Sequence, residues 1–370
     1  MFIQIKKEAA DHDIKTIEVA YDGIKEMHIT FNFDTDKLSD KSLDELVFLI
    51  RNTGIKIVNA FGFGNNCYYT QIVNYLKMNH IEMFPFSWID GSYEKCNELH
   101  GIYLFGVQGV DIKYIYDESS LIGCFYEDGY AKYMYLGNIG SSSMNKEVDE
   151  QVLDNLRIIE KTIQTHDMTM LNIGRTWFYN RNLLNWYGAF NKVRTNFYSE
   201  KGILSNFIPA STCICGSSPL DSVLISSAIS IKPKNSNVIV KEVTSPLQCS
   251  ATNYGSSFSR AVCIINESFQ KITVSGTASV DKEGNTIYTN DIIKQIDHTI
   301  QSVEQILALC NMTFSDTIRA FAYVKNQEHL AIAIDHFKSK VDIPVIFTQA
   351  TICRDDFLFE LELDAIKVSK

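Results

Sequence analysis

The chain has 370 residues, 45% of them hydrophobic, and a formal net charge of −10. That apolar fraction supports an ordinary globular core, and at ~100–200 residues per domain the length suggests two domains or a short tandem array. The acidic balance, without any Lys/Arg-rich run, excludes the basic footprint of a nucleic-acid binder and disfavours an anionic membrane surface.

Nine cysteines form no Cys-x-x-Cys pair, and the first residues lack an apolar leader core. No stretch approaches the ~18 apolar residues of a membrane span. These features predict a reduced, cytoplasmic protein.

Residues 1–130 alternate strand and helix patterns: MHITFNFD, SLDELVFLIRNTG, KIVNAFGFG, CYYTQIVNYLKMNH, then MFPFSWIDG and HGIYLFGVQG. Residues 131–232 give the same order more clearly. YMYLGN is a strand, and the helix after it puts Val152, Leu156, Ile159 and Ile163 on one face. MLNIGRTWFY is a strand, LLNWYGAFNKVRTNFYSE a second helix, and IPAS and LDSVLISSAISIK close the unit. Residues 233–258 are rich in Ser and Asn and read as an ordered connection. Residues 259–370 repeat the unit, from KITVSGTAS through two helices to IPVIFTQATI and FLFELELDAIKV.

Arg175 and Arg319 fall at the same point of the repeat, and Pro209 and Pro344 open the same strand. Pro85 sits near the matching place in residues 1–130, which we read as a degenerate third copy. A β–α–β–α–β–β unit leaves one sheet face bare and must bury it against its neighbours. The predicted class is therefore α+β, with tandem units arranged as a single-chain pseudo-trimer.

Several motifs carry a resemblance. Ser275-Gly276 after the first strand of the last unit, and ELELDAIKV at its end, are similar to the RidA/YjgF family of small trimeric proteins with a chorismate-mutase-like fold. RidA imine deaminases place a carboxylate-clamping Arg after the Pro of the penultimate strand, where this chain has Phe347. From about Arg175 onward the chain more closely resembles the chorismatases, larger relatives on the same fold. The stretches are RTWFY with YGAFNKVR, PAST at 209–212, PLQCSATNYGSSFSRA at 246–261, VSGTAS at 274–279 and TICRDDFLFELELD at 351–364.

This resemblance implies hydrolysis of the enolpyruvyl ether of chorismate with release of pyruvate, without cofactor or metal. An acid must protonate the enol-ether methylene, and cations must hold the two substrate carboxylates. In FELELD, alternation puts Glu360, Glu362 and Asp364 on one strand face, where mutual repulsion should raise the pKa of at least one. The resemblance implies Glu362 as the catalytic acid, with Glu360 given no role. It implies Arg354 and Arg260 as carboxylate ligands, where a planar fork suits better than lysine. Arg175 or Arg194 would add a cation from the neighbouring unit. Gln248 and Tyr254 would reach the substrate hydroxyl or water, and Ala278 and Thr351 would form the pocket wall. The product would be a dihydroxycyclohexadiene carboxylate, or a hydroxybenzoate after loss of water.

The alternatives are a RidA-like deaminase, against which Phe347 argues, and a small-acid-binding protein that has lost the chemistry. Gly62-Phe63-Gly64 lacks the third glycine of a nucleotide loop, and His329 with His336 lacks a third metal ligand. Ser211 and Ser275 show no His-Asp companions. The expected partner is a small carboxylate, bound by a monomer or a homo-oligomer.

Overall fold

The computed structural model describes residues 2–8, 12–33, 38–91, 98–118, 120–141, 146–220 and 222–369. Three six-stranded sheets form, one after another along the chain. The first contains β1 (Phe2–Glu8), β2 (His12–Tyr21), β3 (Ile24–Phe33), β4 (Lys56–Gly64), β5 (Phe86–Ile89) and β6 (Leu99–Gln108), with α1 (Asp40–Thr53) and α2 (Asn66–Met78). The second contains β7 (Lys113–Asp117), β8 (Ser120–Glu127), β9 (Ala131–Gly140), β10 (Ile173–Asn180), β11 (Ala210–Cys215) and β12 (Leu224–Pro233). Its helices are α3 (Val148–Gln164), α4 (Leu183–Glu200) and the short α5 (Ile203–Asn206). The third contains β13 (Ile239–Val243), β14 (Ala261–Ile265), β15 (Phe269–Ala278), β16 (Thr317–Val324), β17 (Val345–Gln349) and β18 (Phe359–Val368), with α6 (Ile292–Ala308) and α7 (Leu330–Lys340).

The strand orders β1-β2-β3-β6-β4-β5, β7-β8-β9-β12-β10-β11 and β13-β14-β15-β18-β16-β17 are one order written three times. In each sheet only the pair joined by a crossover helix, such as β4 with β5, is parallel. Pro85, Pro209 and Pro344 each immediately precede the fifth strand, where a residue without an N–H breaks no ladder. The tandem units of the sequence reading are therefore present, and residues 1–108 supply a full copy.

Each sheet also has two strands that the repeat did not reveal. The second sheet begins at Lys113, within the stretch read as the N-terminal region, and β13 lies within the stretch read as a connection. KYIYD and IVKEV are five-residue strands, mostly exposed, so no apolar alternation marks them.

Each sheet buries one face under its own helices. Val152, Leu156, Ile159 and Ile163 of α3 all enter the second of these cores. The three other faces meet in a common core drawn from all three units. Its axis is lined by β4, β10 and β16, whose registers slip at matching points before Asn59, Arg175 and Arg319. Counting from there, Phe61, Trp177 and Phe321 form one layer, and Phe63, Tyr179 and Tyr323 the next. Phe61 meets Trp177 at 5.2 Å and Phe321 at 5.4 Å between ring centroids. At one end of the axis a hairpin turn from each sheet joins a knot in which Tyr130 and Ser268 both bond the Asp22 carboxylate. Among the described residues no helix is long and apolar enough to cross a membrane.

Candidate active site

Between the second and third units, β11 crosses β15 at Ser275-Gly276. There β15 bulges, its register with β18 shifting between Val274 and Thr277. A bulge frees backbone groups from the ladder, and those groups need other partners. The Ser275 amide donates to the Arg260 carbonyl at 2.9 Å, and the Gly276 amide to Thr212 Oγ1 at 2.9 Å. Ser275 Oγ accepts from the Ser211 amide at 2.9 Å. Beside this seam α4, the segment ending at Arg260 and the Cys353–Phe357 turn enclose a cavity of about 510 Å³.

Glu360 of β18 stands in the cavity wall, 4% exposed, with its carboxyl against Gly276. A Cβ at position 276 would fall 2.0 Å from Glu360 Oε1, so any larger residue there would push the carboxyl aside. Among the described residues nothing hydrogen-bonds the Glu360 carboxyl. Burial, with the negative charge of Glu362 behind it, pushes its pKa up to about 8. One of the three acids on this strand face thus has a raised pKa, as the sequence leads one to expect, although burial contributes more than repulsion.

The other charged groups around the cavity are cations. Arg260 gives Nε and Nη2 to the Cys249 carbonyl at 3.0 and 2.8 Å, which fixes the plane of its guanidinium. Arg354 gives Nη1 to the Gly284 carbonyl at 2.8 Å. The Tyr254 ring lies near both, 5.7 Å from the Arg260 guanidinium and 4.8 Å from that of Arg354. The adjacent acids do not quench Arg354, because Asp355 pairs with Lys325 and Asp356 accepts from Thr286. Lys192 of α4 stands exposed at the rim. The Cys353 thiol is pushed up to about 12 by burial and then by Glu360, so it is neutral.

Of the residues singled out from sequence, Arg354, Arg260, Tyr254 and Ala278 line this cavity, and Glu362, Arg175, Arg194, Gln248 and Thr351 do not. Glu362 points to the common axis. It accepts from Arg175 Nη2 at 2.7 Å, Arg319 Nη1 at 2.8 Å and Trp177 Nε1 at 2.8 Å, and is fully buried. It holds two cations inside the protein and faces no open space. Arg175 also donates to Thr212 Oγ1 at 2.6 Å. Arg194 is sandwiched near Phe178 and Phe190 and bonds the side chain of Asn191, which does line the cavity. Gln248 holds the Ala278 carbonyl at 2.7 Å, and the Thr351 carbonyl accepts from the Cys215 amide at 2.8 Å. Sequence reasoning missed Glu360, Cys353, Tyr187 and Lys192 as lining residues. The run from Cys353 to Glu360 was visible as a motif, but not which of its acids faces the cleft.

Phe347 lies in the helix-covered core of the third unit, with its ring 5.5 Å from that of Phe337. Its surroundings among the described residues are the apolar side chains of that core.

By fold the chain is similar to a chorismatase known from its crystal structure, with a TM-score of 0.62 at 15% identity, covering 84% of this chain and 92% of that one. A putative endoribonuclease L-PSP from Entamoeba histolytica matches at 15% identity and a TM-score of 0.29, over 34% of this chain and 98% of its own. A YjgF-family protein from Neisseria meningitidis matches at 15% identity and a TM-score of 0.25, over 30% of this chain and 89% of its own. No protein-family model and no curated protein matches the chain by sequence. The chain is built on the chorismatase fold.

Proposed function

We propose that this protein is a chorismatase-like enzyme that cleaves the enolpyruvyl ether of chorismate and releases pyruvate. The observation that carries the reading is a carboxyl kept protonated at neutral pH, Glu360, on the wall of a cavity whose other charged groups are cations. A dicarboxylate brings two negative charges to Arg354, Arg260 and Lys192. Glu360, not Glu362, then acts as the acid.

In the reaction Glu360 gives its proton to the enol-ether methylene, and the ether carbon becomes an oxocarbenium ion. A water adds to that carbon and loses a proton to the Glu360 carboxylate, which restores the acid. The hemiketal so formed opens to pyruvate and a ring alcohol, consuming one water for each ether cleaved. The product is a dihydroxycyclohexadiene carboxylate, or a hydroxybenzoate where the ring then loses water. Because the acid must be protonated, the rate should fall above the pKa of Glu360.

The test is to incubate purified protein with chorismate and follow pyruvate by a coupled lactate dehydrogenase assay. Wild type should release pyruvate, and Glu360→Gln should be slower by roughly 10²–10⁴-fold. Absence of pyruvate from wild type, with chorismate still bound, would make this a binding protein instead.

A further inference from the structure

We propose that Thr212, backed by the Arg175–Glu362 pair, is a positioning residue that holds the Gly276 bulge and thereby aims the Glu360 carboxyl into the cleft. The inference deepens the reading of Glu360 as the acid and rests on it.

The contacts run in one line. Glu362 of the third unit binds Arg175 of the second, and Arg175 donates to Thr212 Oγ1. Thr212 Oγ1 accepts the Gly276 amide of the third unit, and Gly276 supports the Glu360 carboxyl. Glu362, Arg175 and Thr212 are each at most 1% exposed, so no water can replace a lost member cheaply. The Thr212 methyl lies 3.2 Å from where a Gly276 Cβ would be, which leaves the glycine between that methyl and the acid. A β-branched side chain has little χ1 freedom, so the hydroxyl is held in place. With no hydrogen bond of its own among the described residues, Glu360 takes its direction from this packing.

The matching cleft between the first and second units shows which part of this device is general. There the bulge in β9 faces Ser87, which occupies the position of Thr212 beside the axis. Ser87 Oγ accepts the Asn138 amide at 3.0 Å and bonds Ser227 Oγ at 3.0 Å. A hydroxyl capping the bulge is thus shared by both clefts. Among the described residues, the buried Arg–Glu pair behind the hydroxyl and the acid in front of it occur only between the second and third units. Ser87 therefore supplies an internal control for purely structural damage.

The experiment compares Thr212→Val, Thr212→Ser and Ser87→Ala. The Glu360 carboxyl is titrated without substrate by infrared or carbon NMR, its signal identified by its loss in Glu360→Gln. Pyruvate release from chorismate is measured on the same proteins. Thr212→Val should move the Glu360 midpoint down by about half a pH unit or more, as the loosened carboxyl gains water. It should lower kcat roughly 10–100-fold with KM changed less than about threefold. Thr212→Ser should restore both, and Ser87→Ala should move neither. The proposal is overturned if Thr212→Val titrates as wild type, if Thr212→Ser is as impaired as Thr212→Val, or if Ser87→Ala produces the same losses. Should Thr212→Val not fold, Thr212→Ala takes its place with the same expected shifts. If wild type releases no pyruvate, the reaction fails but the titration still decides the positioning role.

Discussion

Replacing Glu360 by Gln tests the central assignment without any substrate. The folded protein holds this carboxyl at a pKa of about 8 against an ordinary 4.5, chiefly through burial. Between those values the folded state binds more protons than the unfolded chain, so stability must fall as pH rises through that window. Each pKa unit corresponds to about 1.4 kcal/mol, and most of the window lies between pH 5 and pH 9, which gives about 4 kcal/mol. Gln has nearly the same shape and no proton to lose, so this component disappears in Glu360→Gln. Urea denaturation of both proteins at the two pH values isolates it, because the other titrating groups cancel in the double difference. Wild type should lose about 4 kcal/mol more than the variant. Parallel losses would show that Glu360 ionises normally, and the proposed acid would fall with it.

Two further substitutions separate binding from architecture. Arg354→Lys keeps the charge but not the planar fork, and should weaken chorismate binding roughly 10–100-fold by calorimetry with the fold intact; unchanged affinity would remove Arg354 from the substrate site. Glu362→Gln leaves Arg175 and Arg319 without their shared carboxylate, and should cost about 3–5 kcal/mol of stability in denaturant melts. A Glu362→Gln protein as stable as wild type that releases no pyruvate would return the acid role to Glu362.

The sequence carried the parts of this protein that depend on local period. The helix faces follow from residues a few positions apart, and the equivalence of Arg175 with Arg319 and of the prolines follows from matching those local patterns across the repeats. The outermost strands β7 and β13 escaped because they bury little and alternate nothing. The proposed acid escaped for a different reason. Alternation correctly places Glu360 and Glu362 on one face of β18, but their environments are set by other strands of the third unit and by the neighbouring one. Trp177 and Arg175, 185 and 187 residues earlier, take Glu362 into the axis. Gly276 and the cavity receive Glu360. No pattern within a strand distinguishes two acids whose surroundings are supplied by other strands, some of them in the neighbouring unit.

Joining three units in one chain also explains how a nearly threefold scaffold carries, among the described residues, one such acid-lined cleft. By strand register, the position of Glu360 opposite Tyr323 is held by Ile225 opposite Tyr179 and by Gly101 opposite Phe63. A homotrimer must repeat every residue three times, so an acid placed in one cleft is placed in all. A fused chain is free of that constraint. Between the third and first units, Ile346 occupies the position of Thr212 and its side chain comes within 3.0 Å of where a Gly101 Cβ would be. That contact fills the space an acid and its ligand would need. Here β3 also pairs with β6 without a bulge, so no freed amide calls for a hydroxyl cap. Hydroxyl and bulge appear together in two clefts and are absent together in the third. The hydroxyl therefore goes with the bulge whose amide it caps, and the acid with its Arg–Glu support is what sets the seam between the second and third units apart.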